Sequence, residues 1–161
     1  MAENETPQPQ FALQRVYVKD ASIEVPNAPM IFTQEWKPEI KLDLNTGARR
    51  LDEKHFEVFV KTTVTASLGD DTAFLVEVMQ CGLFLAENIP DEQLKPMMGA
   101  MCPNILFPYL RESVDNLVVK GGFPALMLAP INFDALYQQR LQEEAKQAAE
   151  QSESSEGEST H

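Results

Sequence analysis

The stretch HFEVFVKTTVTASLGDDTAFLVEVMQCGLF, His55 to Phe84, decides the fold. Phe56, Val58, Val60, Val64, Ala66 and Leu68 fall on one parity, against His55, Glu57, Lys61, Thr63, Thr65 and Ser67 on the other, with Phe59 as the exception. Strict alternation of this kind marks a half-buried strand. Gly69 to Asp71 predicts a hairpin turn that sends the chain back through TAFLVEVMQCGLF. A short loop setting Leu68 opposite Thr72 places Val64 against Val76, Thr62 against Val78 and Val60 against Gln80. Even-numbered residues then share one apolar sheet face. The odd parity of the returning strand carries Ala73, Leu75, Glu77, Met79, Cys81 and Leu83, an apolar surplus where the neighbouring strand is polar. Contiguous apolar area on a face that meets water predicts a recognition surface.

Working outward, Ile40, Leu42 and Leu44 alternate with Glu39, Lys41, Asp43 and Asn45, which adds a third strand. Phe11 to Val25 is β-rich, is stopped by PNAP, and joins as a fourth. The even face needs a cover, and the segment from Asp91 to Gly122 supplies it as a long helix. It begins acidic, ends at Gly121-Gly122, and spaces Leu106, Tyr109, Leu110, Val114 and Leu117 at helical intervals. Pro103 and Pro108 are expected to kink or interrupt it. A shorter helix is expected from Asn132 as N-cap, with Phe133, Leu136, Tyr137 and Leu141 on one side. The expected class is α+β, a four-stranded antiparallel sheet with one face covered by a long helix and a second, shorter one. Residues 1–10 and 143–161 are expected to be disordered tails around a domain spanning 11–142, because neither end offers enough apolar area to offset ordering entropy.

The 161 residues carry a formal charge of −12, part of it in the Ser/Glu-rich C-terminal stretch. Nucleic acid is a poor partner for such a chain, since phosphate neutralisation needs clustered Lys and Arg. No N-terminal secretory pattern and no apolar run of membrane-spanning length is read, so membrane insertion is not expected. Two histidines and two cysteines, dispersed, make neither a zinc site nor a disulfide framework. No glycine-rich phosphate loop occurs, and the paired carboxylates lie in a turn or a helix end. Neither an enzyme nor a cofactor is expected. Phe32 and Trp36 in the crossover, with Tyr109, Phe133 and Tyr137 on the helices, are candidates to line a groove for apolar side chains. From the residues alone, an adaptor for one folded partner and a small-ligand binder using that groove remain alternatives.

QRVYVKDASIEVPNAP, ASLGDDTAFLVEVMQCGLF, CPNILFPYLRE and FPALMLAPINFDALY together closely resemble the SecB family of bacterial protein-export chaperones, over roughly Phe11 to Arg140. The resemblance implies a cytosolic homotetramer, a dimer of dimers, that needs no ATP, keeps precursor proteins unfolded and delivers them to the SecA motor ATPase. It implies that Asp20, Glu24, Leu75 and Glu77 receive the short, basic, zinc-containing tail of SecA. It implies an assembly role for Phe74, Val76, Val78 and Gln80. Any zinc would belong to the partner's tail.

Overall fold

The computed structural model describes residues 5–156. Four antiparallel strands, β1 (Gln10–Glu24), β2 (Glu39–Arg50), β3 (His55–Leu68) and β4 (Asp71–Glu87), form one sheet in the order β1-β4-β3-β2. The last three strands make a meander, whereas β1 pairs with β4 on the far side. The segment between β1 and β2 therefore crosses over the end of the sheet. Ile31, in a 3-10 turn at Met30–Thr33, buries itself there, and Asn27 Nδ2 donates to Thr72 O at 2.9 Å.

The central pairing follows the expected register for most of its length, with Val64 opposite Val76, Thr62 opposite Val78 and Val60 opposite Gln80. It departs at the turn. Ala66 pairs with Phe74, but Ser67 pairs with Thr72 and Leu68 with Asp71, so Ala73 is an extra residue and Leu68 does not face Thr72. The bulge lets Ala73 and Phe74, neighbours of opposite parity, both be buried. Only Gly69 and Asp70 remain in the turn, and Gly69 takes φ 61°.

The even face is the core. Phe56, Val58, Val60, Val64, Ala66, Phe74, Val76, Val78 and Phe84 are all at most 7% exposed. Thr62, the polar residue in that row, donates from Oγ1 to Asp43 O at 2.9 Å, which removes the cost of burying its hydroxyl. The cover is α2 (Cys102–Lys120), whose Leu106, Leu110, Val114 and Val118 recur at four and are fully buried.

The helical segment does break, but not where Pro103 and Pro108 were expected to break it. A short α1 (Asp91–Pro96) passes into a π-helical turn at Met97–Met101, where Cys102 N donates to Met97 O across five residues. Pro103 stands in the first turn of α2, where no N–H is needed, and Pro108 lies inside the continuous helix. A proline lacks the donor that holds the preceding turn at four residues, so the turn before Pro103 is free to widen.

At its other end α2 closes as expected at the glycines. Gly122, at φ 95°, donates to Val119 O at 3.0 Å and Phe123 N donates to Val118 O at 3.1 Å, a Schellman cap. Asn132 Oδ1 accepts from Ala135 N at 3.0 Å and starts α3 (Phe133–Glu156). Of the expected apolar side only Phe133 is buried, and Leu136 and Leu141 are 43% and 40% exposed. The expected disordered tail from 143 is instead a continuation of α3 to Glu156, and 157–161 lie outside the described residues. Glu143 to Gln151 holds only good helix formers and no Gly, Pro or β-branched residue, so a helix already started meets nothing that stops it. At the other end β1 begins at Gln10, and residues 1–4 lie outside the described residues.

Gly69 has no heavy atom near the position a Cβ would take, so its only demand is conformational. Gly69→Ala is expected to lower stability by about 1 kcal/mol through the left-handed φ. Gly69→Asn is expected to recover most of that loss, with urea midpoints at fixed protein concentration as the measurement.

Candidate functional site

Among the described residues, no helix covers the outer, odd face of the sheet. Its rows follow from the register: Glu24 lies beside Leu75, Ser22 beside Glu77, and Asp20 beside Met79, with Thr65, Thr63 and Lys61 completing them on β3. The structure thus brings Asp20, Glu24, Leu75 and Glu77 from two strands onto one patch. Asp20 and Glu24 are exposed, and Leu75 and Glu77 are half-buried. Thr63 Oγ1 donates to Glu77 Oε1 at 3.1 Å, which holds the carboxylate on its strand with its second oxygen free to accept from a partner. Thr63 was not among the residues singled out from sequence, although its parity and the hairpin register were enough to find it.

Further along the same face, Glu57 accepts from Tyr17 Oη, from Lys19 Nζ at 2.9 Å and from Arg49 Nη2 at 3.3 Å. These bonds tie β1, β3 and β2 together across β4. The Tyr17 hydrogen bond, followed by the Lys19 hydrogen bond, holds the Glu57 carboxyl below its ordinary value of 4.5. Burial and the same carboxylate push the Tyr17 phenol up. Cys81 lies in the row of Tyr17, fully buried, its thiol pushed up to about 11 chiefly by burial. Cys102, under the sheet, is pushed up to about 12 by burial. Thiols held protonated and covered are poor nucleophiles and act as small apolar side chains.

Phe74, Val76, Val78 and Gln80 occupy the opposite face and are 3% exposed or less. Ser113 Oγ on α2 donates to Gln80 Oε1 at 2.9 Å, and Gln80 Nε2 donates to Tyr17 O at 3.2 Å. These four residues are core of one protomer rather than an open surface. Helix α2 covers the face they share.

The aromatic candidates do not form one groove. Phe32 and Trp36 meet Phe123 at centroid distances of 5.1 and 5.2 Å, and Phe74 closes the cluster from below at 5.1 Å from Phe123. Phe32 is 49% exposed, so the cluster has an apolar upper surface. Phe133 and Tyr137 belong elsewhere: Phe133 is 1% exposed and packs edge-on against Phe107, and Tyr137 lies over Gly99 in the π turn. Gly99 is required there, because a Cβ would fall 2.5 Å from the Tyr137 ring. A cleft of about 360 Å³ opens beside Tyr137, bounded by Thr46, Gly47, Lys95, Met98 and Arg140. Tyr109 is 44% exposed on α2 and joins neither cluster. Phe123 was missed from sequence. It is the residue after the Gly-Gly stop, a position that a Schellman cap commonly turns inward, and that signal was present.

With this geometry in hand, the family described as preprotein translocase subunit SecB matches residues 4–144. The protein-export protein SecB of Marinobacter nauticus is 53% identical over 142 residues, 88% of this chain and 86% of that one. Its counterpart in Pseudomonas savastanoi is 56% identical over 139 residues, 86% of each chain, and that of Hahella chejuensis 52% over 152 residues, 92% and 96%. Among solved structures, a Mycobacterium tuberculosis SecB-like chaperone in complex with a peptide from an antitoxin aligns with a TM-score of 0.63. It is 17% identical, and the alignment covers 75% of this chain and 90% of that one. At that identity the likeness is one of fold.

Because the Glu57 carboxyl is held low in the folded state, its contribution to stability is full above 4.5 and is lost as the pH falls through the folded value. Glu57→Gln is therefore expected to be less stable than the parent at neutral pH, with the difference shrinking as the pH is lowered well below 4.5. Urea unfolding at neutral and at low pH measures it, and a difference that stays constant would contradict the assignment.

Proposed function

Because the chain belongs to the SecB family of protein-export chaperones, we propose that it binds unfolded precursors at its aromatic cluster and passes them on through its outer sheet face to the SecA motor ATPase. The observation that carries this reading is the separation of the two surfaces by the sheet itself. Phe32 and Phe123 pack at the crossover end over Phe74, a core residue of the helix-covered side, whereas Asp20, Glu24, Leu75 and Glu77 lie on the bare side.

A binding surface without a nucleotide step works by mass action, drawing the unfolded chain out of the pool that can fold or aggregate. An apolar platform suits this task, because burial at about 25 cal/mol per Å² attracts many sequences and selects few. Release then has to be driven by the receiving partner. A basic tail is recognised by Asp20, Glu24 and the oriented Glu77, while Leu75 beside them takes its apolar side chains. Charge of this kind accelerates encounter and makes it salt-sensitive. No resident metal or cofactor enters the scheme, and zinc would arrive with the tail.

Assembly as a dimer of dimers in the cytoplasm completes the proposal. It is supported by β1, an edge strand of 15 residues, and by two apolar side chains left uncovered, Val18 at 46% and Val119 at 56% exposed. Several clusters on one assembly would engage one long client at once and raise avidity without a new kind of contact.

Glu77→Lys is expected to weaken binding of a basic, zinc-loaded tail peptide by roughly tenfold, while mass by light scattering and binding of a reduced, unfolded polypeptide stay unchanged. Loss of all three together would show that the surfaces are not separate. Thr63→Val should give a smaller loss for the same peptide, restored in Thr63→Ser.

Phe32→Ala is expected to reverse this pattern, weakening the unfolded polypeptide by about fivefold or more and leaving the tail peptide untouched. In fluorescence anisotropy, preference for the folded form of the polypeptide would overturn the chaperone mode itself.

A further inference from the structure

The outer face changes sign along its length. Toward the hairpin end of β4, Glu24, Asp20 and Glu77 make the β1–β4 side acidic, while Lys41 and Lys61 keep to β2 and β3. At the bulge between Val18 and Asp20 the sign on β1 reverses: Lys19 and Arg15 follow, and Arg49 lies on the other flank of the row that holds Arg15, Leu83 and Glu57. Glu57 is shared by Lys19 and Arg49, so one carboxylate answers two cations. Arg15 is exposed and makes no salt bridge among the described residues. This end of the face is therefore cationic on a protein whose formal charge is −12. Glu87, beyond Leu83 at the end of β4, is the next carboxylate on the strand. Between the two charged ends lies the row of Tyr17, Cys81 and Phe59, with the Phe59 ring over Gly47, flanked by half-buried Met79 in the row of Asp20 and half-buried Leu83 in the row of Arg15.

We propose that this face receives a partner segment of mixed charge in one fixed orientation. Its cationic stretch lies over Glu24, Asp20 and Glu77, and an acidic stretch lies over Arg15 and Lys19. Asp20, in the row of Met79, and Arg15, in the row of Leu83, lie four strand positions apart along β4, roughly 13 Å at the rise of an extended chain, so about three residues separate the two stretches. The inference deepens the docking reading above and rests on it. A uniformly basic segment meets repulsion at one end of the face, whereas a bipolar one meets attraction at both, so the second charge sets direction and register as well as strength.

The test uses the full chain at low ionic strength and two labelled synthetic peptides. Both carry a lysine run and a spacer of about three apolar and serine residues; one ends in a glutamate run, the other in a glutamine run. The glutamate peptide is expected to bind about threefold or more tighter, against the net charge of the protein. Arg15→Gln should erase that advantage without changing the glutamine peptide, and Arg15→Glu should invert the order of the two. Equal or weaker binding of the glutamate peptide to the parent, or an advantage that survives Arg15→Glu, would overturn the proposal. If the glutamine peptide binds and Glu77→Gln weakens it, the docking reading stands whatever the glutamate run does. If neither peptide binds, both readings fall.

Discussion

Every other element leans on the antiparallel pairing of β3 with β4, in which Val64 meets Val76 and Val60 meets Gln80. Side chains on paired strands alternate with a period of two, so one choice of register sends every even residue to the same side. A slip of β4 by one residue would put Phe74, Val76 and Val78 in water and Glu77 under the helix. The four buried positions at Leu106, Leu110, Val114 and Val118 fit only the first arrangement, because only that one presents α2 with an apolar surface to cover.

The same constraint separates two kinds of exposed surface. One side of the sheet is spent on the core, and its residues reach solvent only where the crossover and the cap of α2 bring Phe32, Trp36 and Phe123 together above Phe74. The other side has no helix, which leaves charge and half-buried apolar residues in alternating rows. Glu57 holds three strands together on that side with hydrogen bonds and ion pairs, in place of a second layer. A chaperone benefits from this division. In the proposed scheme, apolar attraction for a client and electrostatic attraction for a receiving partner act on opposite sides of one sheet, so neither ligand has to displace the other.

Much of this was legible before any coordinates. Alternation in His55 to Leu68 marked the strand, Gly69 the turn, Gly121-Gly122 the end of the long helix and Asn132 the start of the last. The misreadings have local causes. The bulge at Ala73 buries one residue of the odd parity beside Phe74 and shortens the turn, which period-two counting does not register. The π turn lies one turn before Pro103, because the missing donor acts on the backbone that precedes the proline. The continuation of α3 past residue 143 reflects helix-forming composition without apolar packing, and composition of that polar kind reads equally well as disorder.

The sequence by itself determined which residues face which way: local periodicity and steric preference act within a few residues and need no partner. Parity assigned Leu75 and Glu77 to water, and Val76 and Val78 to the core. Tertiary structure alone decided which distant residues share a site. Phe123 joins Phe32 and Trp36 because a Schellman cap and a crossover end at the same place. Phe133 and Tyr137 part from them because α3 seats on the π turn through Gly99. Asp20 and Glu24 come beside Leu75 and Glu77 because β1 pairs with β4 and not with β2. Those contacts join residues about twenty-five to ninety positions apart, and no pattern within one segment encodes them.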